Sequence, residues 1–167
     1  AILIERKPSK SHFQVYSDGS GARALIIPHS GLRNSADDLD LPATMQMDGA
    51  AVFNFTLQRV PDMMRDILSY ADVTADDVDY FVLHQPNKYI LRNLQKRLKL
   101  SDEKMPIATQ SVYGNQNSAS IPGTISGFLS EGFGTSKVRS VFAGFGIGLS
   151  WGACVVETSA IYAPATL

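Results

Sequence analysis

The run Tyr80-Phe81-Val82-Leu83 constrains this chain most, because it sits between two longer stretches whose apolar residues recur at helical spacing. An unbroken apolar run this short reads as a strand, since a helix needs more length to close its own hydrogen bonds. Upstream, Val52, Phe53, Leu57, Val60, Met64, Ile67 and Leu68 predict a core-facing helix over 49–71, with Pro61 permitting a kink or a restart. Downstream, the stretch 87–99 separates into two faces at about 100° per residue. Ile90, Leu91, Leu94 and Leu98 share one, and Lys88, Arg92, Lys96 and Lys99 share the other. A short strand over 107–109, a polar turn over 113–120 and a helix over 121–129 ended by Gly132 follow. Two strands, 138–143 and 151–157, then flank Gly144-Phe145-Gly146-Ile147-Gly148. The order helix, strand, helix, strand, helix, strand, strand predicts an α/β architecture.

The ends of this pattern are less regular. Residues 1–5 and 13–17 have strand character and are able to pair, with Phe13 and Val15 alternating against Gln14 and Tyr16 and a turn at Asp18-Gly19-Ser20-Gly21. The segment 28–46, with Pro28, Gly31 and Pro42, reads as a long surface excursion of the kind that carries function. Thr74-Ala75-Asp76-Asp77 reads as the capped first turn of a short helix. The start AILIERK enters as though midway through a strand, so the chain is expected to be a piece of something longer.

At 167 residues and 44% hydrophobic, the chain can bury one core. Its formal charge of -1 gives no field that would point to nucleic acid or a membrane surface as partner. One cysteine excludes an internal disulfide and a multi-cysteine zinc site, which fits a reducing compartment and makes the cytoplasm the expected location. No run approaches the roughly 20 apolar residues of a membrane span.

His84 stands at the carboxyl end of a strand and just before a helix, where open α/β sheets place their ligand crevices. Alone it reads first as a histidine satisfied by a backbone carbonyl. Asn115 lies in another strand-end stretch, Tyr113-Gly114-Asn115-Gln116-Asn117-Ser118-Ala119-Ser120, whose small residues would let the backbone hold an amide rigidly. A neutral histidine and an asparagine converging on one carbonyl oxygen would stabilise an enolate; asparagine in a turn is also ordinary turn chemistry. Two other patterns lose their functional reading to context. Gly144-x-Gly146-x-Gly148 lacks the following helix of a dinucleotide site, and Gly148-Leu149-Ser150-Trp151-Gly152 lacks the helix that a nucleophile elbow requires after Ser150. Cys154, within an apolar strand, reads as a packed thiol. The stripe on 87–99 carries five basic residues and no acid, either a solvated face or a surface for an acidic or phosphorylated carrier.

Four segments together resemble the β-ketoacyl-acyl-carrier-protein synthase III family: Met47-Asp48-Gly49-Ala50-Ala51-Val52-Phe53, Leu83-His84-Gln85-Pro86-Asn87, Tyr113-Gly114-Asn115-Gln116-Asn117-Ser118-Ala119-Ser120-Ile121-Pro122, and Gly144-Phe145-Gly146-Ile147-Gly148-Leu149-Ser150-Trp151-Gly152. The resemblance implies a thiolase-like α/β fold, with residues 1–46 ending its N-terminal half and residues 47–167 forming the C-terminal domain, a mixed sheet with flanking helices. It implies that His84 and Asn115 are the donors that hold a malonyl thioester carbonyl during decarboxylation. Phe145 would border the malonyl carboxylate, Asn87 would be a further polar residue near the pocket, and Lys88, Arg92, Lys96 and Arg97 would meet the acidic carrier protein. The implied substrates are an acyl-CoA and malonyl-acyl carrier protein, thioesters of coenzyme A and phosphopantetheine, with no cofactor or metal and a homodimer as the working form. The family's nucleophilic cysteine would precede residue 1, so residues 1–167 alone are expected to be inactive. Tyr89 stands where an arginine is common, Ile147 replaces a common glycine and the loop at 28–46 diverges. These departures keep open a specialised polyketide, quinolone or olefin-type ketosynthase, or a non-catalytic thiolase-like domain that binds carrier proteins.

Overall fold

The computed structural model describes residue 2, residues 9–28 and residues 44–165. The strand expected over 1–5 and most of the excursion at 28–46 lie outside the described residues.

A four-stranded mixed sheet forms the centre, in the order β1-β6-β5-β4. β4 (Tyr80–Leu83) runs parallel to β5 (Val138–Gly146), which pairs antiparallel with β6 (Ser150–Thr158), and β6 pairs antiparallel with β1 (Ser11–Ser17). A second sheet of two short strands, β2 (Leu25–Ile26) and β3 (Gln46–Met47), sits before the first helix.

That helix, α1 (Gly49–Tyr70), begins where Asp48 caps it by accepting from the Ala51 N–H at 2.9 Å. It continues through Pro61 without a restart, because the missing N–H costs one bond while Leu57, Val60, Met63, Met64 and Ile67 are all buried against the sheet. α2 (Lys88–Leu98) lies beside it, burying Ile90, Leu91 and Leu94 as the periodicity predicted. Phe81, Leu83, Val141, Ala143, Ala153 and Val155 face these two helices, whereas Val82, Val138, Leu129 and Phe133 form a separate cluster. That second cluster is closed by α4 (Ser120–Phe128) and α5 (Ser130–Thr135), which follow α3 (Thr109–Tyr113).

Several local expectations fail for identifiable reasons. Residues 107–109 form no strand: Ile107 is buried in the helix-side core without a ladder partner, and Thr109 opens α3 with its hydroxyl 2.8 Å from that of Thr124. Apolar burial without a strand looks the same in sequence. Residues 74–77 form a turn rather than a helix, because the Asp77 carboxylate accepts from both the N–H and the hydroxyl of Thr74 and closes the motif on itself. The helix does not end at Gly132; the chain breaks at Leu129 and α5 passes through that glycine. The glycine turn is shorter than expected, since Gly144 and Gly146 pair with Gly152 and Ser150 inside the sheet. Only residues 147–149 lie outside it, with Gly148 at φ +139°, a backbone conformation that favours glycine. β6 follows that turn, so Ser150 has no helix behind it. On β1, His12, Gln14 and Tyr16 turn toward α1, while Phe13 and Val15 are 64% and 84% exposed on the opposite face. No helix among the described residues is long and apolar enough to cross a membrane.

Candidate functional site

Register delivers His84. Leu83 stands opposite Ala143, and the His84 N–H donates to the Ala143 carbonyl at 2.8 Å, so the ladder runs one residue past β4. The ring therefore emerges at the carboxyl edge of the sheet, beside the glycine-flanked end of β5. The turn after it is anchored by Gln85, fully buried, whose Nε2 donates to the carbonyls of Leu83 and Pro106 at 3.1 Å each. Asn87 caps α2 by accepting from the Ile90 N–H at 2.9 Å. Phe145 presents its ring edge-on to His84, with centroids 5.5 Å apart and planes at 75°.

Asn115 arrives from the loop behind α3. Gly114, at φ +71°, ends that helix and turns the chain. The Asn115 Oδ1 accepts from the Asn117 N–H at 2.9 Å, an Asx turn that fixes the amide. Among the described residues the Asn115 Nδ2 has no partner, which leaves its donor side for a ligand.

These side chains line one apolar cleft of about 1160 Å³. Its walls come from β2 and β3 (Leu25, Met47), from α1 (Val52, Phe53), from α2 (Tyr89, Ile90) and from the turn at Ile147. His84 is half-buried there. Desolvation pushes its pKa below the ordinary histidine value and outweighs the opposite pull of a hydrogen bond with the Asn117 backbone. The imidazole is thus neutral at physiological pH, with one N–H to donate. Its Nδ1 lies 3.2 Å from the Ser120 Oγ. A neutral N–H donor and an amide donor facing one apolar space can hold an oxygen on which negative charge develops, and the Phe145 ring beside them disfavours charge elsewhere.

The basic residues of α2 separate on inspection. Lys88 is exposed at the start of the helix, and Lys96 and Arg97 are exposed further along it. Arg92 is engaged within the chain, paired with Asp102 and hydrogen-bonded to the Gln95 side chain. The acid that neutralises it lies in the loop after the helix, which a reading of the helix alone does not include. Two contributors went unassigned in the sequence. Tyr89 stacks on Phe53, centroids 5.3 Å apart and planes at 22°, making an aromatic pair at the cleft; only contact across two helices reveals it. Ser120 was visible within its motif, but its contact with His84 spans 36 positions. Among the described residues no group of three or more His, Cys, Asp or Glu is arranged to hold a metal ion.

Comparison with known proteins adds the following. Residues 68–158 match the family model described as 3-oxoacyl-[acyl-carrier-protein] synthase III C terminal. The chain is 35% identical over 163 residues to the β-ketoacyl-[acyl-carrier-protein] synthase III of Streptococcus gordonii, an alignment covering 93% of this chain and 49% of that protein. The chain thus spans about half the length of the curated relatives it matches. Among solved structures, a 3-oxoacyl-(acyl-carrier protein) synthase from Burkholderia xenovorans superposes with a TM-score of 0.87 at 31% identity, over 98% of this chain and 48% of its own. The priming β-ketosynthase of the R1128 polyketide pathway superposes with a TM-score of 0.72 at 24% identity, covering 93% of this chain and 47% of its own, a likeness of fold.

Proposed function

Because the chain belongs to the 3-oxoacyl-[acyl-carrier-protein] synthase III C-terminal family, with its thiolase-like fold, we propose that it supplies the charge-stabilising half of a decarboxylative Claisen condensation. The convergence of His84, Asn115 and Phe145 on one cleft carries this reading. His84 and Asn115 donate to the carbonyl oxygen of a malonyl thioester. As the malonyl C–C bond breaks and carbon dioxide leaves, the electron pair moves into an enolate whose oxygen these donors hold. The Phe145 ring borders the carboxylate and, being apolar, favours its loss. The enolate carbon then attacks an acyl thioester formed on a cysteine outside these 167 residues, giving a β-ketoacyl thioester. Asn87 lines the same cleft, and with its Oδ1 committed to the helix cap its Nδ2 is the group it has left for a substrate.

The substrates on this reading are acyl-CoA and malonyl-acyl carrier protein, with Lys88, Lys96 and Arg97 as the exposed cations for an acidic carrier; no cofactor takes part. Residues 47–167 form the C-terminal unit and residues 1–46 end the preceding half, although β1 from that segment leans on β6. The working form is a cytoplasmic homodimer. The aromatic pair Phe53–Tyr89 favours a second, narrower reading in which primer or extender is specialised, because it replaces a cation with apolar surface at the cleft. Product mass spectrometry across a panel of acyl-CoAs separates the two.

The test of the main reading compares His84→Ala and Asn115→Ala in an enzyme containing both halves. Each is expected to slow malonyl decarboxylation by on the order of 10²-fold while leaving acyl transfer to cysteine nearly intact. Equal loss of both steps would contradict the assigned roles. Residues 1–167 alone are expected to give no condensation product.

A further inference from the structure

Whether His84 can serve as a donor depends on which ring nitrogen carries the proton. The Ser120 hydroxyl lies 3.2 Å from Nδ1, and the Asn117 backbone, three residues earlier, also bonds the ring. A hydroxyl that donates to Nδ1 leaves the proton on Nε2; a carbonyl that accepts from an Nδ1–H keeps the proton there and leaves Nε2 bare and able only to accept.

The surroundings of Ser120 favour the first arrangement. Ser120 is 1% exposed, at the first turn of α4. Its carbonyl accepts from the Thr124 hydroxyl at 2.8 Å, and since that hydrogen is committed, Thr109 donates in the 2.8 Å contact between the two threonines. Its N–H donates to the Asn117 carbonyl. Ser120 is therefore fixed in place on both backbone sides, and among the described residues Nδ1 is the only partner of its Oγ. A buried hydroxyl hydrogen left without an acceptor is costly, whereas an unfilled lone pair on its oxygen is less so. The hydroxyl accordingly donates.

From this geometry we infer that Ser120 is a positioning residue, selecting the Nε2–H tautomer of His84 and so making the ring a donor toward the cleft. Removing the hydroxyl takes away the donor that holds Nδ1 as an acceptor, so the proton moves from Nε2 to Nδ1 and the catalytic face of the ring turns from donor to acceptor. The role in turnover rests on the condensing reading above; the tautomer itself does not.

The two are tested apart. In the 167-residue chain labelled with ¹⁵N-histidine, long-range proton–nitrogen spectra above the histidine titration range report the tautomer, and His84→Gln identifies the signals among the three histidines. The chain is expected to show the proton on Nε2, Ser120→Ala to move it to Nδ1, and Ser120→Thr, which keeps a hydroxyl, to keep it on Nε2. A proton on Nδ1 in the unaltered chain overturns the inference even if no variant folds, and so does Ser120→Ala retaining Nε2–H. In an enzyme containing both halves, Ser120→Ala is expected to lower kcat by about 10²-fold, the cost of one lost oxyanion donor, with KM little changed. A tautomer that moves while decarboxylation does not change supports the positioning role and refutes the catalytic reading of His84.

Discussion

Asn87 is assigned two duties, and one pair of substitutions separates them. Its Oδ1 accepts from the Ile90 N–H at 2.9 Å, capping α2, while its Nδ2 remains for a substrate in the cleft. Asn87→Ala removes both. Loss of an N-cap costs about 1 kcal/mol, and Ile90, only 6% exposed, leaves its N–H poorly placed to find water instead. For a domain of this size that corresponds to a fall in Tm of about 2–4 °C. Asn87→Asp restores the acceptor and places a negative charge at the positive end of α2, a placement worth about 0.3–1 kcal/mol. Its melting temperature is therefore expected at or above that of the unaltered chain. The same carboxylate has no N–H to donate and repels a malonyl carboxylate, so kcat/KM for malonyl thioester should fall in both variants. Thermal unfolding by circular dichroism and a decarboxylation assay give the two readouts. An Asn87→Asp variant as unstable as Asn87→Ala refutes the cap, and one with unchanged kcat/KM refutes the substrate contact.

Other expectations follow from burial and charge. Leu94→Ala, at a fully buried position between α2 and the core, is expected to cost about 2–5 kcal/mol in urea unfolding. The Glu157 carboxyl is held down to about 2 from its ordinary 4.5 by Lys137 first and Arg139 second. A depressed carboxylate stabilises above the unfolded value and loses that contribution as pH falls through the folded one, so the stability gap between the chain and Glu157→Gln should close between about pH 4.5 and pH 2. The pKa of His84 is lowered by burial, so the unfolded chain takes up its proton first as pH drops past 6.5. Stability therefore falls on that descent, and His84→Gln should flatten the fall; an equally steep curve would show that His84 is not desolvated.

The long elements were legible because burial imposes a period on them. α1 and α2 follow their apolar spacing, and β4 is the run between them. His84 could be placed at a strand end for the same reason: the apolar run stops at it. What failed had no period to read. Ile107 is buried in irregular backbone and so imitates a strand, and the pairing of Leu25–Ile26 with Gln46–Met47 joins two segments too short to alternate. The candidate cleft was half legible. His84, Asn115 and Phe145 carry recognisable neighbours, but Tyr89 and Ser120 act through contacts with Phe53 and His84 that only the packing of α1, α2 and α4 creates. Arg92 likewise has a neighbour its own helix does not reveal, Asp102 from the next loop.

Strand alternation also decides what Cys154 can do. Phe145 pairs with Trp151 and, with Ala143 and Ala153, faces α1 and α2; Cys154 pairs with Phe142 and Phe13, one residue out of step and so on the other face. A side chain there points away from the face that carries Phe145, and a change of rotamer does not take it through the sheet. Its chemistry agrees with its placement. Burial raises the thiol pKa, only partly offset by a hydrogen bond with the Phe142 backbone, so little thiolate exists at neutral pH. Cys154→Ala is therefore expected to leave acyl transfer and condensation unchanged in an enzyme containing both halves. Alkylation of Cys154 by iodoacetamide in the chain should be slow at neutral pH and accelerate as pH rises past the ordinary thiol range. Loss of acyl transfer in Cys154→Ala would show that this thiol carries the acyl group, and with it that the nucleophile lies in this half after all.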